Sequence, residues 1–140
     1  NDNPDLTIDF ETKGIVISLG SNSLFESGDA KLKSNGLSIV KTLGNELLER
    51  MQRYELVIDV EGHTDDVPIS TARFPSNWEL SSSRSASVVK EFTELGLNSE
   101  VVRAIGHADA FPLKPNRDKD GAAIPSNMAA NRRVDVIVHY

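Results

Sequence analysis

Asp65 and Arg84 are the residues whose types and spacing most suggest chemistry. Asp65 lies in Gly62-His63-Thr64-Asp65-Asp66, directly after an alternating stretch, Tyr54 to Glu61, that reads as a strand. Arg84 lies in the first turn of an apolar periodicity that begins at Leu80 and reads as a helix. A carboxylate and a guanidinium facing one crevice suit a zwitterionic ligand. The carboxylate accepts from an ammonium group, and the guanidinium fork matches a carboxylate in bidentate geometry. Backbone N–H groups in the helix's first turn would add to the attraction for an anion, and Asn77 can donate and accept to fix orientation. The same two side chains could equally form an internal salt bridge that only ties strand to helix, and residue types alone leave these alternatives level.

Other chemistries fit less well. His63, Asp65, His107 and Asp109 form two His-x-Asp stretches at strand ends that could converge on a divalent metal with nitrogen and oxygen ligands. Their spacing matches no specific metal signature, such as two histidines one helical turn apart. No serine sits in a Gly-x-Ser-x-Gly elbow. Asp65 and Asp66 point in different directions on an extended segment, which disfavours a glycosidase carboxylate pair. A small metal-dependent hydrolase is thus the alternative from another class, whereas the binding reading needs neither enzyme activity nor a cofactor. In Asn131-Arg132-Arg133, either arginine could reach the crevice or simply be a solvated strand end. Trp78 reads as a packing anchor in preference to a sugar-stacking platform.

The elements that must position these groups follow from periodicity. Leu6, Ile8 and Phe10 alternate with polar residues, Lys13-Gly14 suits a tight turn, and Ile15 to Leu19 makes a second strand, hence an N-terminal hairpin. Asn22 to Gly28 reads as a polar loop plugging the core through Phe25. Apolar positions at 37, 40, 43, 47, 48 and 51 predict an amphipathic helix capped by Ser34 and ending near Gln52. A second helix runs from about Leu80 to Leu95, with Ser81 or Ser82 as cap and Gly96 closing it. Val101 to Ile105 is a short strand, 111 to 128 a long surface loop, and Val134 to Tyr140 a final strand. Strands joined through helices pair in parallel with right-handed crossovers. The expected fold class is therefore α/β (α+β): a two-layer sandwich of one mixed sheet, two main helices on one face and the hairpin.

The totals set the outer limits. A chain of 140 residues fits one domain. A net charge of −6 argues against broad nucleic-acid affinity, which needs a basic face to displace phosphate counterions. The absence of cysteine excludes disulfides and thiolate sites. No apolar run approaches the roughly 18 residues of a membrane span, and the start at Asn1 in place of Met suggests a fragment, which leaves room for a membrane segment upstream.

Taken in order, Gly62-His63-Thr64-Asp65, Asn77-x-x-Leu80-Ser81-x-x-Arg84, Gly106, Pro112, Asn116 and Asn131-Arg132-Arg133-Val134 resemble the OmpA-like peptidoglycan-binding domain across roughly residues 14 to 140. Three further stretches look like its flagellar-stator B-subunit type (MotB and PomB). They are Leu24-Phe25-Glu26-Ser27-Gly28-Asp29-Ala30, Asp65-Asp66-Val67-Pro68-Ile69, and Phe74-Pro75-Ser76-Asn77-Trp78-Glu79-Leu80-Ser81. The resemblance implies an acidic segment at 1–13 ahead of a domain at 14–140. It implies that Asp65 and Arg84 grip the diaminopimelate of the peptidoglycan stem peptide, that Thr64, Asn77, Leu80 and Ser81 shape the pocket, and that Arg132 supports it. It further implies a periplasmic domain of an inner-membrane protein, dimeric in the assembled stator. A transmembrane segment outside this chain would meet the stator A subunit. A generic outer-membrane or lipoprotein anchor is the alternative within the family. The chain departs from the family at Gly28, where many members have Asn or Asp, and around Ser126-Asn127-Met128, where Gly-Arg is usual.

Overall fold

A computed structural model describes residues 6–11 and 14–140, with the side chains of all of these except 9–11. The strands are β1 (Leu6–Glu11), β2 (Gly14–Gly20), β3 (Val57–His63), β4 (Val102–Gly106) and β5 (Arg133–His139). The helices are α1 (Ser21–Leu24), α2 (Ser34–Met51), α3 (Asn77–Leu95) and α4 (Pro125–Asn131). The strands form one mixed sheet in the order β1-β2-β5-β3-β4. β3 and β4 are parallel neighbours joined by the α3 crossover. β5 runs antiparallel to both β2 and β3 and lies between them. The hairpin pairs from Leu6 opposite Leu19 to Glu11 opposite Gly14. The expected Lys13-Gly14 turn and the acidic 1–5 stretch lie outside the described residues.

Both long helices cover one face of the sheet, as expected. Ile17, Leu19, Ile58, Val60, Val134, Val136 and Val138 of the sheet pack against Val40 and Leu47 of α2 and Val88 and Phe92 of α3. Each fully buried side chain of this size contributes roughly 1.5–3 kcal/mol of hydrophobic stabilisation. Leu24 and Phe25 are buried in the same core, so the segment after β2 plugs it with two side chains. Part of that segment is the short helix α1, where only a loop is expected.

Several boundaries differ from expectation for local reasons. α3 starts at Asn77, three residues before Leu80, because Ser76 and not Ser81 or Ser82 caps it. Ser76 Oγ accepts from Trp78 N at 3.2 Å and donates to Glu79, a Ser-x-x-Glu arrangement that serves the free N–H end of the helix. That hydroxyl holds the Glu79 carboxyl below its usual pKa. α2 begins at Ser34 itself, after Lys33 and with no side-chain cap, and ends at Met51. Gly96 closes α3 in the left-handed conformation at φ 113°, as predicted. β3 begins at Val57, and Tyr54 stays exposed in an edge-to-face contact with Tyr140. The 111–128 segment ends in α4, with Pro125 in its first turn, and holds an Arg117–Ala123 bridge.

The sheet's other face is more buried than the alternation of β3 predicts. Asp59, His63, Arg133 and Asp135 are all buried there, because the same or a neighbouring strand supplies polar partners. Asp59 takes Arg103 Nε and His139 Nε2, and Arg133 Nε reaches Asp135 at 3.1 Å.

The close approach of α3 to the sheet depends on two glycines. Gly62 of β3 and Gly106 of β4 are register partners, and a Cβ on either would run into α3, at the Ser81 carbonyl or at Ser82. Ser85 Oγ donates to Ile105 O at 2.8 Å across this seam. Gly62→Ala and Gly106→Ala should each destabilise by about 1–3 kcal/mol through overpacking, measured by urea unfolding. Losses under about 0.5 kcal/mol would mean that α3 can lift away freely.

Candidate functional site

The loop after β3 is built around Asp65. Thr64 N donates to Ala108 O at 2.8 Å, pinning the loop to the segment after β4. Thr64 Oγ1 donates to the Asp65 carbonyl, and Asp65 Oδ1 accepts from Val67 N at 3.0 Å, so the carboxylate folds back on its own turn. Asp65 Oδ2 accepts from Arg132 Nη1 at 2.6 Å. The strand-to-helix connection then closes on itself. Asn77 Nδ2 donates to Val67 O at 3.1 Å, while Phe74 and Leu80 bury against Ala30 with Ile69 alongside.

Arg84 projects from the second turn of α3, since that helix starts at Asn77. The helix's N-terminal N–H groups are therefore not beside it, and the expected help from them for an anion is not observed: Ser76 and Glu79 occupy that end. Arg84 is only 6% exposed. Nε donates to Asp29 O at 2.7 Å and Nη2 to Glu26 O at 3.3 Å, with the guanidinium over the Phe25 ring at 5.0 Å. Among the described residues it makes no salt bridge. Asp29 is near, but its carboxylate accepts from Ala30 N and Arg73. Burial pulls the Arg84 pKa down to about 10, partly offset by Asp29, with Arg132 lowering it further and Asp65 raising it. The charge thus carries an uncompensated burial cost at every pH below about 10. This group's contribution to stability rises only as the pH climbs from there towards the ordinary arginine value.

Asp65 and Arg84 line one cavity of about 500 Å³ together with Thr64, Asn77, Leu80 and Arg132. The direct Asp65–Arg84 salt bridge is not formed: Arg132 takes the carboxylate and loop carbonyls take the guanidinium. Each carboxylate oxygen accepts two hydrogen bonds, so Asp65 keeps capacity for an ammonium donor. Arg84 Nη1 has no hydrogen bond among the described residues, and two arginines against one aspartate leave the cavity net positive. Ser81, expected in the pocket wall, sits behind it. Its Oγ accepts from Ala108 N at 3.0 Å and donates to Trp78 O, fixing the helix to the loop.

The other candidates separate. Arg132 enters the crevice, whereas Arg133, one residue on in a strand, faces away and bonds Asp135, Asn131 O and Phe111 O. Asn131 is fully buried and bonds Leu113 N, Lys114 N, Lys114 O and Asn116, fastening the loop before β5. Asp66 pairs with Arg117 at 2.9 Å. The metal set His63, Asp65, His107 and Asp109 is not assembled, because strand alternation turns His63 to the opposite face from the core while Asp65 takes Arg132. Trp78 is 55% exposed and anchors nothing; Phe74 and Leu80 do the packing. It borders a shallow hollow with Asp66 and Asp109 instead. The sequence reading missed Asn22, Ser27 and Ile69 in the cavity wall. Gly28, also in the wall, has φ +68°, a conformation that Gly, Asn and Asp adopt most readily, so the backbone tolerates all three residue types.

The OmpA family profile matches residues 24–124. The Bacillus subtilis (strain 168) protein YtxE, named as uncharacterized, is 37% identical over 134 residues, covering 95% of this chain and 51% of that protein. Motility protein B of the same organism is 29% identical over 128 residues, covering 91% of this chain and 46% of its own length. The chain thus spans about half the length of these curated relatives. A solved structure described as a MotB-like protein from Desulfovibrio vulgaris superposes with a TM-score of 0.83 at 30% identity, over 96% of this chain and 80% of that one.

The geometry makes Arg84's contribution to stability testable by itself. Arg84→Met keeps an apolar side chain of similar reach and removes a buried charge that no carboxylate pairs. Its unfolding free energy should stay within about 1 kcal/mol of the parent protein's. A loss above about 3 kcal/mol would make Arg84 chiefly a structural residue.

Proposed function

The chain belongs to the OmpA family, and on that premise we propose that it is a non-enzymatic, peptidoglycan-binding anchor of the MotB kind. The observation that carries this reading is the cavity holding Asp65 beside a buried Arg84 with no carboxylate partner. The ligand carboxylate would be the missing counter-ion, received by Arg84 at the Nη1 edge. The ligand ammonium would donate to Asp65, which Arg132 and Val67 N hold in place. The free end of diaminopimelate in a peptidoglycan stem peptide carries both groups on one carbon, so one terminus would meet both side chains of the cavity. Asn77 and Thr64 would orient it, and Leu80 and Ile69 would cover its methylene chain.

The wider role is part of the same proposal. The domain would work in the periplasm as a homodimer, fastening a flagellar stator to the wall so that the stator resists torque. A transmembrane segment outside this chain would join it to the inner membrane and to the stator A subunit. The names of the relatives support the motility assignment, and the cavity supports the ligand class.

Pull-down with purified sacculi tests the pocket. The parent domain should sediment with diaminopimelate-type peptidoglycan and bind lysine-type peptidoglycan weakly, because lysine lacks the second carboxylate. Asp65→Asn and Arg84→Met should each weaken binding at least about thirtyfold, the cost of breaking one partner of a buried charged pair. Equal binding to both wall types, or binding retained by both variants, would contradict the proposal.

A further inference from the structure

On the sheet face away from the helices, three strands bring Glu61, His63, His107 and Asp135 together. Glu61 and His63 are two apart on β3, so they share a face. β5 sets Asp135 directly opposite Glu61 and Arg133 opposite His63. His107 follows Gly106, the register partner of Gly62, and so comes level with His63. We propose that this cluster is a structural site for a divalent transition metal, zinc above others, that ties the ends of β3 and β4 together beneath the Asp65 loop.

Distances support coordination. His107 Nε2 lies 2.9 Å from Glu61 Oε1, and His63 Nε2 lies 4.0 Å from that oxygen and 3.7 Å from Asp135 Oδ2. The donor atoms of Glu61, His63 and His107 all fall within 4.8 Å of one another. Bonds of about 2.0–2.1 Å in a tetrahedron put ligand atoms roughly 3.3 Å apart, so closing separations by up to about 1.5 Å brings these three donors onto one ion. The two imidazoles are already stacked, with centroids 4.9 Å apart and planes at 20°.

Electrostatics point the same way. Glu61 and Asp135 are like charges directly opposite on adjacent strands, an arrangement that destabilises a sheet unless a cation intervenes. Arg133 and Ser18 bond Asp135, the latter at 2.6 Å, and so compensate one carboxylate. Glu61's ion pairs are with the two imidazoles, which carry charge only when protonated. A divalent ion would supply that charge while both imidazoles are neutral. Two imidazole nitrogens beside a carboxylate suit zinc, whereas calcium and magnesium prefer oxygen alone. Glu61, His63 and His107 supply three ligands, and Asp135 Oδ2, 3.7 Å from His63 Nε2, would close the shell by turning in from Arg133, which fits a structural and not a hydrolytic role. The ion would enter past His107, whose side chain is 23% exposed and packs edge-on against Phe111. No cluster residue lines the Asp65–Arg84 cavity, so the site stands apart from the proposed ligand pocket.

Tag-free protein stripped with chelator and dialysed against zinc provides the test, with metal counted by elemental analysis. One equivalent should remain bound, cobalt(II) in its place should give the visible absorption of a tetrahedral site, and zinc should raise the thermal midpoint. His107→Gln, chosen because His107 is partly exposed, should lose the equivalent with unchanged circular dichroism. Glu61→Gln should weaken binding at least about tenfold, since even residues outside the coordination shell cost that much. His139→Gln, at the chain's third histidine, should bind as the parent does. Metal content no higher than in His107→Gln, or equal loss in His139→Gln, overturns the proposal.

Discussion

A guanidinium buried without a carboxylate partner is the constraint on which this structure turns. Arg84 is held by main-chain oxygens of Glu26 and Asp29 and by the face of Phe25. These contacts orient the charge but do not neutralise it, and its depressed pKa records the difference. A fold optimised only for stability would place a carboxylate there or an apolar side chain. The nearest candidates are instead committed elsewhere: Asp29 to Ala30 N and Arg73, Asp65 to Arg132 and Val67 N.

The rest of the architecture keeps those groups apart yet in one cavity. Gly62 and Gly106 let α3 settle onto β3 and β4, which sets the depth of Arg84. Ser81 and Thr64 both bond the Ala108 backbone, so helix, β3 loop and β4 loop meet at one point. Asn131 fastens the long segment before β5, and the next residue delivers Arg132 to Asp65. Rigidity would serve the proposed ligand, because a zwitterion's two charges are fixed on one carbon and reward only a receptor that presents both partners without reorganising.

Much of this was legible in the chain itself. Periodicity located both long helices, the hairpin and the strands, and the ordered motif from Gly62 to Arg132 named half of the cavity wall. What failed was set by non-local geometry. That β5 inserts between β2 and β3 decides that Arg132, not Arg84, meets Asp65, and alternation within one strand cannot reveal its neighbour. The same insertion opposes Asp135 to Glu61, so the acidic neighbours of His63 and His107 are Glu61 and Asp135 and not Asp65 and Asp109. The start of α3 was misjudged because the apolar stripe begins later than the Ser76–Glu79 cap. That error placed Arg84 in the first turn and credited it with the helix terminus. Trp78 misled through residue type: an aromatic near a helix start suggests packing, but the cap turns it outward.

The decisive measurement is a thermodynamic cycle between protein and ligand. Affinity would be measured by calorimetry for a diaminopimelate-containing stem peptide and for the same peptide with the free carboxylate amidated, against the parent domain and Arg84→Met. If Arg84 receives that carboxylate, amidation weakens the parent domain at least about tenfold and leaves Arg84→Met unaffected, because the interaction it removes is already gone. The same loss in both proteins would show that the carboxylate is bound elsewhere and that the buried guanidinium serves the fold alone.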